Sequence, residues 1–253
     1  MWDNKIVSVV LTSYREKDSI CAAIENFSSL PYVDEVVVVD NNAEPGSIEE
    51  VRKTKARLVF EKRQGHGWAL QCGLREAKGD YIFTVEGDGT FQGDDVIKFL
   101  AYTNEMPVIF GKRTDANTME PGALGTGLWG ELRKWANVGE AKIIEILFST
   151  GQLTDVGCTF ALLRKDVARA LENRWLKGGS YFVTEMRLQV AAAGIPFVEI
   201  PIFFKKRKIG KSYIVDTRLK LAKEGLKMLL FIINFWLHAK IFNKTKYQPV
   251  EIH

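Results

Sequence analysis

Cysteine, histidine and proline are scarce in this 253-residue chain, which holds three, three and seven of them. Cys21, Cys72 and Cys158 stand far apart and form no C-x-x-C pair. That argues against a disulfide framework or a structural zinc site and for reduced thiols in a cytosol. Long apolar runs are missing too. The most apolar stretch, Met228 to Leu237, is broken by Asn234 and falls short of the about 20 residues that span a bilayer. Met1–Lys5 leads straight into Ile6–Leu11, too short for a signal-peptide core and without a cleavage site, so no targeting or spanning segment is expected. A dominant charge is also lacking: 35 Lys+Arg face 31 Asp+Glu, a formal net charge of +4. Attraction to phosphate must therefore come from local clusters. Basic residues are not interleaved with aromatics, which speaks against a nucleic-acid partner. What is present, 46% hydrophobic and 26% charged residues with no Pro/Ser/Gly-rich linker and no repeat, describes one folded α/β unit.

The first half alternates strand and helix. Strands are expected at Ile6–Thr12, Glu35–Asp40, Arg57–Glu61 and Tyr81–Glu86, with helices at Asp18–Leu30, Ile48–Lys55 and Gly67–Ala77. Short apolar runs without alternation, separated by helices, predict parallel strands buried on both faces. The second half is less regular. Helices are expected at Asp94–Tyr102, Leu132–Phe148, Asp166–Glu172 and Glu185–Ala193, and strands at Pro107–Gly111, Phe160–Leu163 and Phe197–Phe203. Thr114–Gly130 reads as a long loop, and Lys205–Ser212 as a basic one.

Ligands of such sheets bind beyond the carboxyl ends of the strands. Those ends carry Thr12-Ser13-Tyr14-Arg15-Glu16, Asp40-Asn41-Asn42 and Glu86-Gly87-Asp88, three polar clusters converging on one edge. Glu86 and Asp88 form a hard oxygen site suited to Mg²⁺ or Mn²⁺, although Asp88 as a mere helix cap is the bland reading. Gln64–Gly73 departs from a dinucleotide fingerprint, because Leu70 stands where the third glycine belongs. Its glycines instead open a helix whose amides face an anion. His66 reads as a phosphate donor or as a loop residue with no role. In the basic loop, Arg207 and Lys211 flank Gly210, a guanidinium and an ammonium suited to clamping a phosphate.

The stretch Thr217–Phe242 is expected to be an amphipathic helix, so the chain divides into residues 1–214 and a helix with tail, 215–253. Lys220, Lys223, Glu224, Lys227, Asn234 and His238 form a polar stripe, and Leu219, Leu226, Leu229, Leu230, Ile233, Trp236 and Leu237 cover the rest. Two readings stand: a helix lying in a membrane interface, or one packed on its own domain or a twin subunit as a homodimer contact.

Eight stretches in order resemble glycosyltransferase family 2, in its dolichyl-phosphate mannose synthase and polyprenyl-phosphate glycosyltransferase branch. They are Val9–Glu16, Val36–Asn42, Gly65–Gly73, Gly79–Phe91, Gly111–Arg113, Asp155–Phe160, Glu199–Phe203 and Arg207–Ser212. The resemblance implies a GT-A (Rossmann-like) α/β fold with a mostly parallel sheet flanked by helices, Mg²⁺ or Mn²⁺, a nucleotide-diphosphate sugar donor and transfer with inversion. It implies Thr12, Tyr14, Glu16, Asp40, Asn41, Gly65, Gly67, Glu86 and Gly87 at the nucleotide sugar. Asp88 would ligate the metal, with Glu86 and Gln92 as further candidates. Arg113 and Arg133 would stand near the diphosphate or acceptor, and Arg207, Lys211 and Ser212 would clamp the acceptor phosphate. Arg15, Glu86 and Thr90 depart from the branch's usual Asn, Asp and Gln.

These features predict a peripheral enzyme on the inner face of the cell membrane that moves a sugar to a polyprenyl or dolichyl phosphate. A hydroxyl acceptor would need a general base, for which Asp155 and Glu185 are the candidates. The competing readings are a soluble family member acting on a sugar or other small hydroxyl compound and an inactive nucleotide-binding protein.

Overall fold

The structure, a computed structural model, describes residues 1–125, 127–207 and 218–242. Its first half matches the expected alternation. β1 (Val7–Ser13), β2 (Glu35–Asp40), β3 (Arg57–Phe60) and β4 (Tyr81–Glu86) alternate with α1 (Lys17–Ser28), α2 (Ser47–Arg52) and α3 (His66–Glu76). All seven β1 residues are buried, and so are the four valines of β2, as β-branched side chains on a doubly covered sheet should be. The second half holds α4 (Val96–Leu100), β5 (Val108–Lys112), α5 (Gly127–Phe148), β6 (Ala161–Arg164), α6 (Lys165–Leu171), α7 (Phe182–Ala192), β7 (Phe197–Pro201) and α8 (Arg218–Leu237).

The seven strands form one sheet in the order β3-β2-β1-β4-β6-β5-β7. The β3-β2-β1-β4 block is parallel, as is β5 with β7, whereas β6 runs antiparallel to both β4 and β5. Register then levels the strand ends. Ser13 pairs with Asp40 and Thr12 with Glu86, so the three polar clusters share one rim. One core face packs α1, α2 and α4 on the sheet through Ile24, Phe27, Val51 and Phe99; the other packs α3, α6 and α7 through Leu70, Val167 and Met186.

Three expectations shift. The helix expected at Asp94–Tyr102 splits into a 3-10 turn, Gly93–Asp95, and α4. The end of the expected Thr114–Gly130 loop is instead the first turn of α5. The C-terminal helix ends at Leu237 and continues as a π turn, His238–Phe242. Between the two readings of α8, the structure shows one face packed on the domain. Ile232, Phe235 and Ala239 are buried with Ala141, Ile144 and Phe148 of α5 and Leu188 of α7, and Trp236 Nε1 donates to Leu147 O at 2.8 Å. The opposite face leaves Leu226, Leu230 and Ile233 exposed, as is Ile241 in the π turn. No helix among the described residues is long and apolar enough to cross a membrane.

Candidate active site

The acid pair sits where β4 meets the rim. Gly87 lets this end lie against β1 and α1: a Cβ there would stand 2.6 Å from Ile20 Cδ1 and 3.0 Å from Thr12 O. Asp88 is buried, and its Oδ1 accepts from Thr90 N at 3.0 Å and Thr90 Oγ1 at 2.6 Å. Glu86 accepts from Thr159 Oγ1 at 2.7 Å, and His66 Nε2, buried without a hydrogen-bond partner, lies 4.0 Å from the same carboxylate oxygen.

Arg207 reaches this pair from far along the chain. Its Nε donates to Asp88 Oδ2 at 2.9 Å, its Nη2 donates to the same oxygen, and Nη2 lies 3.7 Å from Glu86 Oε2. The strand-like segment before it is pinned on both sides. Phe204 bridges to Phe91 and Met119, Lys205 N donates to Thr90 O, and Phe203 N donates to the buried Asp95 carboxylate. Burial disfavours the guanidinium charge, but the Asp88 carboxylate outweighs that and raises the Arg207 pKa. Lys211 and Ser212 lie outside the described residues.

Along the rim, Thr12 and Asp40 are buried at neighbouring strand ends, and Asp40 Oδ1 accepts from Ala43 N at 2.7 Å. Tyr14 is exposed, with the Arg15 guanidinium 5.2 Å over its ring. Glu16 folds back to accept from Tyr14 N and Arg15 N. Burial raises its pKa, while those N–H groups and Arg207 oppose the rise. Asn41 ties the rim to the framework. Its amide donates to Glu61 O and Arg63 O at 2.8 Å each, and its oxygen accepts from Gly65 N at 2.8 Å. Gly65 (φ 148°) and Gly67 also have a packing reason, since a Cβ would lie 2.3 Å from Gly178 O or 2.6 Å from Lys177 O respectively. Gln92, the further metal candidate, holds its amide on the backbone. Its Nε2 donates to Phe91 O at 3.0 Å, and Thr90 is the side chain that touches Asp88.

Behind the rim lies a buried ion network. Arg113 grips Asp155 through its backbone N (2.8 Å), Nε (2.9 Å) and Nη2 (3.0 Å), and Asn137 and Gly157 N also donate to Asp155. Burial alone would raise the Asp155 pKa; the Arg113 guanidinium outweighs it and holds the carboxyl well below its ordinary range. Arg187, fully buried on α7, donates to Val183 O at 3.0 Å and Cys158 O at 2.9 Å and lies 4.4 Å over the Phe110 ring. Glu199 accepts from Thr154 N, Thr154 Oγ1 and Asp155 N. Arg113 also feels the charge of Glu86 and lies 5.1 Å over Phe204. Arg133 stands one helical turn before Asn137 and donates to Leu124 O at 3.4 Å.

Neither general-base candidate is placed for that role. Asp155 is locked by Arg113, and Glu185 accepts from Leu176 N at 2.6 Å and Lys177 N at 2.7 Å, pinning that loop. Sequence reasoning missed Arg187 and Asn137. The available signal was the set Thr184, Glu185, Arg187 and Gln189, polar residues that form no stripe on a helix whose every residue is buried.

A divalent cation fits the chemistry of the acid pair. Glu86 and Asp88 offer hard carboxylate oxygens, and a guanidinium already sits between them as a stand-in cation. Among the described residues no three His, Cys, Asp or Glu side chains converge to hold a metal by themselves.

A model of the family described as Glycosyl transferase family 2 matches residues 8–171. The undecaprenyl-phosphate mannosyltransferase of Micrococcus luteus is 24% identical over 217 residues, 81% of this chain and 86% of that protein. An uncharacterized glycosyltransferase of Mycobacterium tuberculosis is 28% identical over 95 residues, 38% of this chain and 42% of that one. Among solved structures, the glucosyl-3-phosphoglycerate synthase of Mycobacterium tuberculosis, crystallised with Mn²⁺, uridine diphosphate and phosphoglyceric acid, superposes with a TM-score of 0.67. It is 16% identical and is matched over 93% of this chain and 78% of that chain, a likeness of fold.

Proposed function

Because the chain belongs to glycosyl transferase family 2 and has a GT-A-like fold, we propose that it transfers a sugar, with inversion, from a nucleotide diphosphate to a polyprenyl phosphate at a membrane surface. The observation that carries this reading is the contact of Arg207 with Asp88 and Glu86, which sets a guanidinium, a group suited to phosphate, against the acid pair. On this reading Thr12, Glu16 and Asp40 hold the nucleoside. Asp88 and Glu86 would hold Mg²⁺ or Mn²⁺, which would supply positive charge against the departing diphosphate. Arg113, oriented by Asp155, supplies a fixed positive charge beside that leaving group. Arg207 holds the acceptor phosphate, with Lys211 and Ser212 proposed beside it.

A phosphate acceptor suits the residues present. A phosphate monoester is mostly dianionic near neutrality, its second pKa being about 6, so it needs placement and not deprotonation. A hydroxyl acceptor would need a base, and both candidates are committed to structure. The membrane part of the reading draws on two neighbouring helices. The outer face of α5 exposes Leu128, Leu132, Trp135 and Ile146, and that of α8 exposes Leu226, Leu230 and Ile233, with Lys223 and Lys227 alongside and Ile241 exposed in the π turn that follows. The M. luteus relative, an undecaprenyl-phosphate mannosyltransferase, supports a lipid phosphate; the phosphoglyceric acid bound by the structural neighbour, which carries a hydroxyl as well as a phosphate, supports a small water-soluble hydroxyl acceptor as the second reading.

Two measurements decide. A thermal-shift panel of nucleoside diphosphates with Mn²⁺ should give a selective shift for one base. With the matching radiolabelled nucleotide sugars, label should move to polyprenyl phosphate in anionic vesicles, and the chain should float with them. A chain that stays in the buffer and labels only phosphoglycerate supports the second reading.

A further inference from the structure

Asp88 has little room for a cation as it stands. Its Oδ1 is taken by the amide and hydroxyl of Thr90, and its Oδ2 by two N–H groups of Arg207. A carboxylate oxygen offers about two lone-pair directions, so both on Oδ2 are engaged. The guanidinium also lies 3.7 Å from Glu86 Oε2, and Glu16 adds a third negative group within its field. The Arg207 side chain is 26% exposed, so its charge is only partly screened. Its backbone approach is fixed by Lys205 N to Thr90 O (2.9 Å) and Lys206 N to Glu120 Oε2 (2.8 Å), which leaves the side chain as the part that can exchange.

We infer that Arg207 is the resident counter-ion of the acid pair and that it exchanges with a divalent cation at Asp88 Oδ2. Loading the donor side with a cation thereby releases the guanidinium to the acceptor's phosphate. The inference rests on the transfer reading above and adds an order to it: cation and donor first, acceptor second. Two positive groups repel at one carboxylate oxygen, so each weakens the other's hold on Asp88. Such coupling is reciprocal: what the cation does to Arg207, Arg207 does to the cation. Thr90 sharpens the exchange, because its hydroxyl closes Oδ1 and leaves Oδ2 as the contested atom.

The test is Mn²⁺ binding to the full chain without nucleotide or acceptor, followed by electron paramagnetic resonance of free Mn²⁺. Arg207→Met should bind Mn²⁺ about tenfold or more tightly than the wild type, within the range of ordinary coupling free energies. Arg207→Lys, which retains charge but not the two-pronged contact, should fall between them. Asp88→Asn should lose the site in either background. On the unaltered chain, Mn²⁺ should speed the modification of Arg207 by phenylglyoxal, read by peptide mass mapping, and this arm needs no variant to fold. Equal or weaker Mn²⁺ affinity in Arg207→Met, or slower modification with Mn²⁺ present, overturns the exchange and leaves the transfer reading standing. If no form binds Mn²⁺ even with uridine or guanosine diphosphate present, the metal part of the transfer reading fails and takes the exchange with it.

Discussion

Along the rim of β2, β1 and β4, side chains are held mostly by backbone N–H groups and hydroxyls: Ala43 N on Asp40, Thr90 on Asp88, Thr159 on Glu86. Behind β5 and β6 the holding is ionic. Arg113, Asp155, Arg187 and Glu199 neutralise one another out of water, with Asn137 and Thr154 filling the remaining bonds. The two regions therefore differ in which partners they can exchange. At Asp88 neutral bonds from Thr90 hold one oxygen and the Arg207 guanidinium holds the other, a contact open to solvent on the Arg207 side. A buried ion pair cannot release a partner without leaving an unpaired charge, so Arg113 is fixed before any ligand arrives.

The largest effect is expected of Asp155→Ala, which strands the Arg113 guanidinium. It should cost about 3–5 kcal/mol of stability in urea unfolding, and a near-wild-type midpoint would show the rear network to be dispensable. Asp88→Ala should act chiefly on transfer. Transfer falls by roughly 10²–10³-fold, as when one transition-state contact is removed, while stability falls by about 1–3 kcal/mol, because the buried Thr90 donors lose their acceptor although the Arg207 side of the ion pair is partly exposed. Global unfolding of Asp88→Ala would erase the distinction between the regions. Asn41→Ala tests whether the rim depends on its framework bonds. Losing contacts to Glu61 O, Arg63 O and Gly65 N should cost about 1–3 kcal/mol and raise KM for the donor more than it lowers kcat.

The smallest effect concerns Glu140 on α5, a carboxyl pushed up to about 7 by burial, for which no cation partner exists among the described residues. The folded state therefore holds a proton that the unfolded chain gives up near 4.5, so stability falls as pH rises between those values. Glu140→Gln removes that loss. Its advantage over wild type, about 1 kcal/mol after screening, should be absent below pH 4.5 and complete above 7. An advantage independent of pH would mean that Glu140 does not titrate in this range.

The rim was legible because its residues are local: a buried strand followed by polar residues is read from a few neighbours, and β2 and β4 fall where Glu35–Asp40 and Tyr81–Glu86 were expected. The reversal of β6 was not legible, since a four-residue apolar run carries no direction. Asn41 and the Gly65–Gly67 pair illustrate a subtler miss. Their positions at the rim were foreseeable, but their framework contacts, with Gly178 across the α3 terminus among them, depend on a loop that is distant in the chain.

By itself, then, the order of residues determined the strand-and-helix alternation, the acids at the strand ends and the family, because each follows from short-range patterning and motif order. Only the tertiary structure decided that Arg207 lies on Asp88, that Asp155 serves Arg113 as an ion partner, and that α8 covers α5 and α7 with one face while exposing the other. Those facts depend on pairing charges and apolar faces over separations such as the 119 residues between Arg207 and Asp88, where burial and Coulomb energy select partners that no local pattern names.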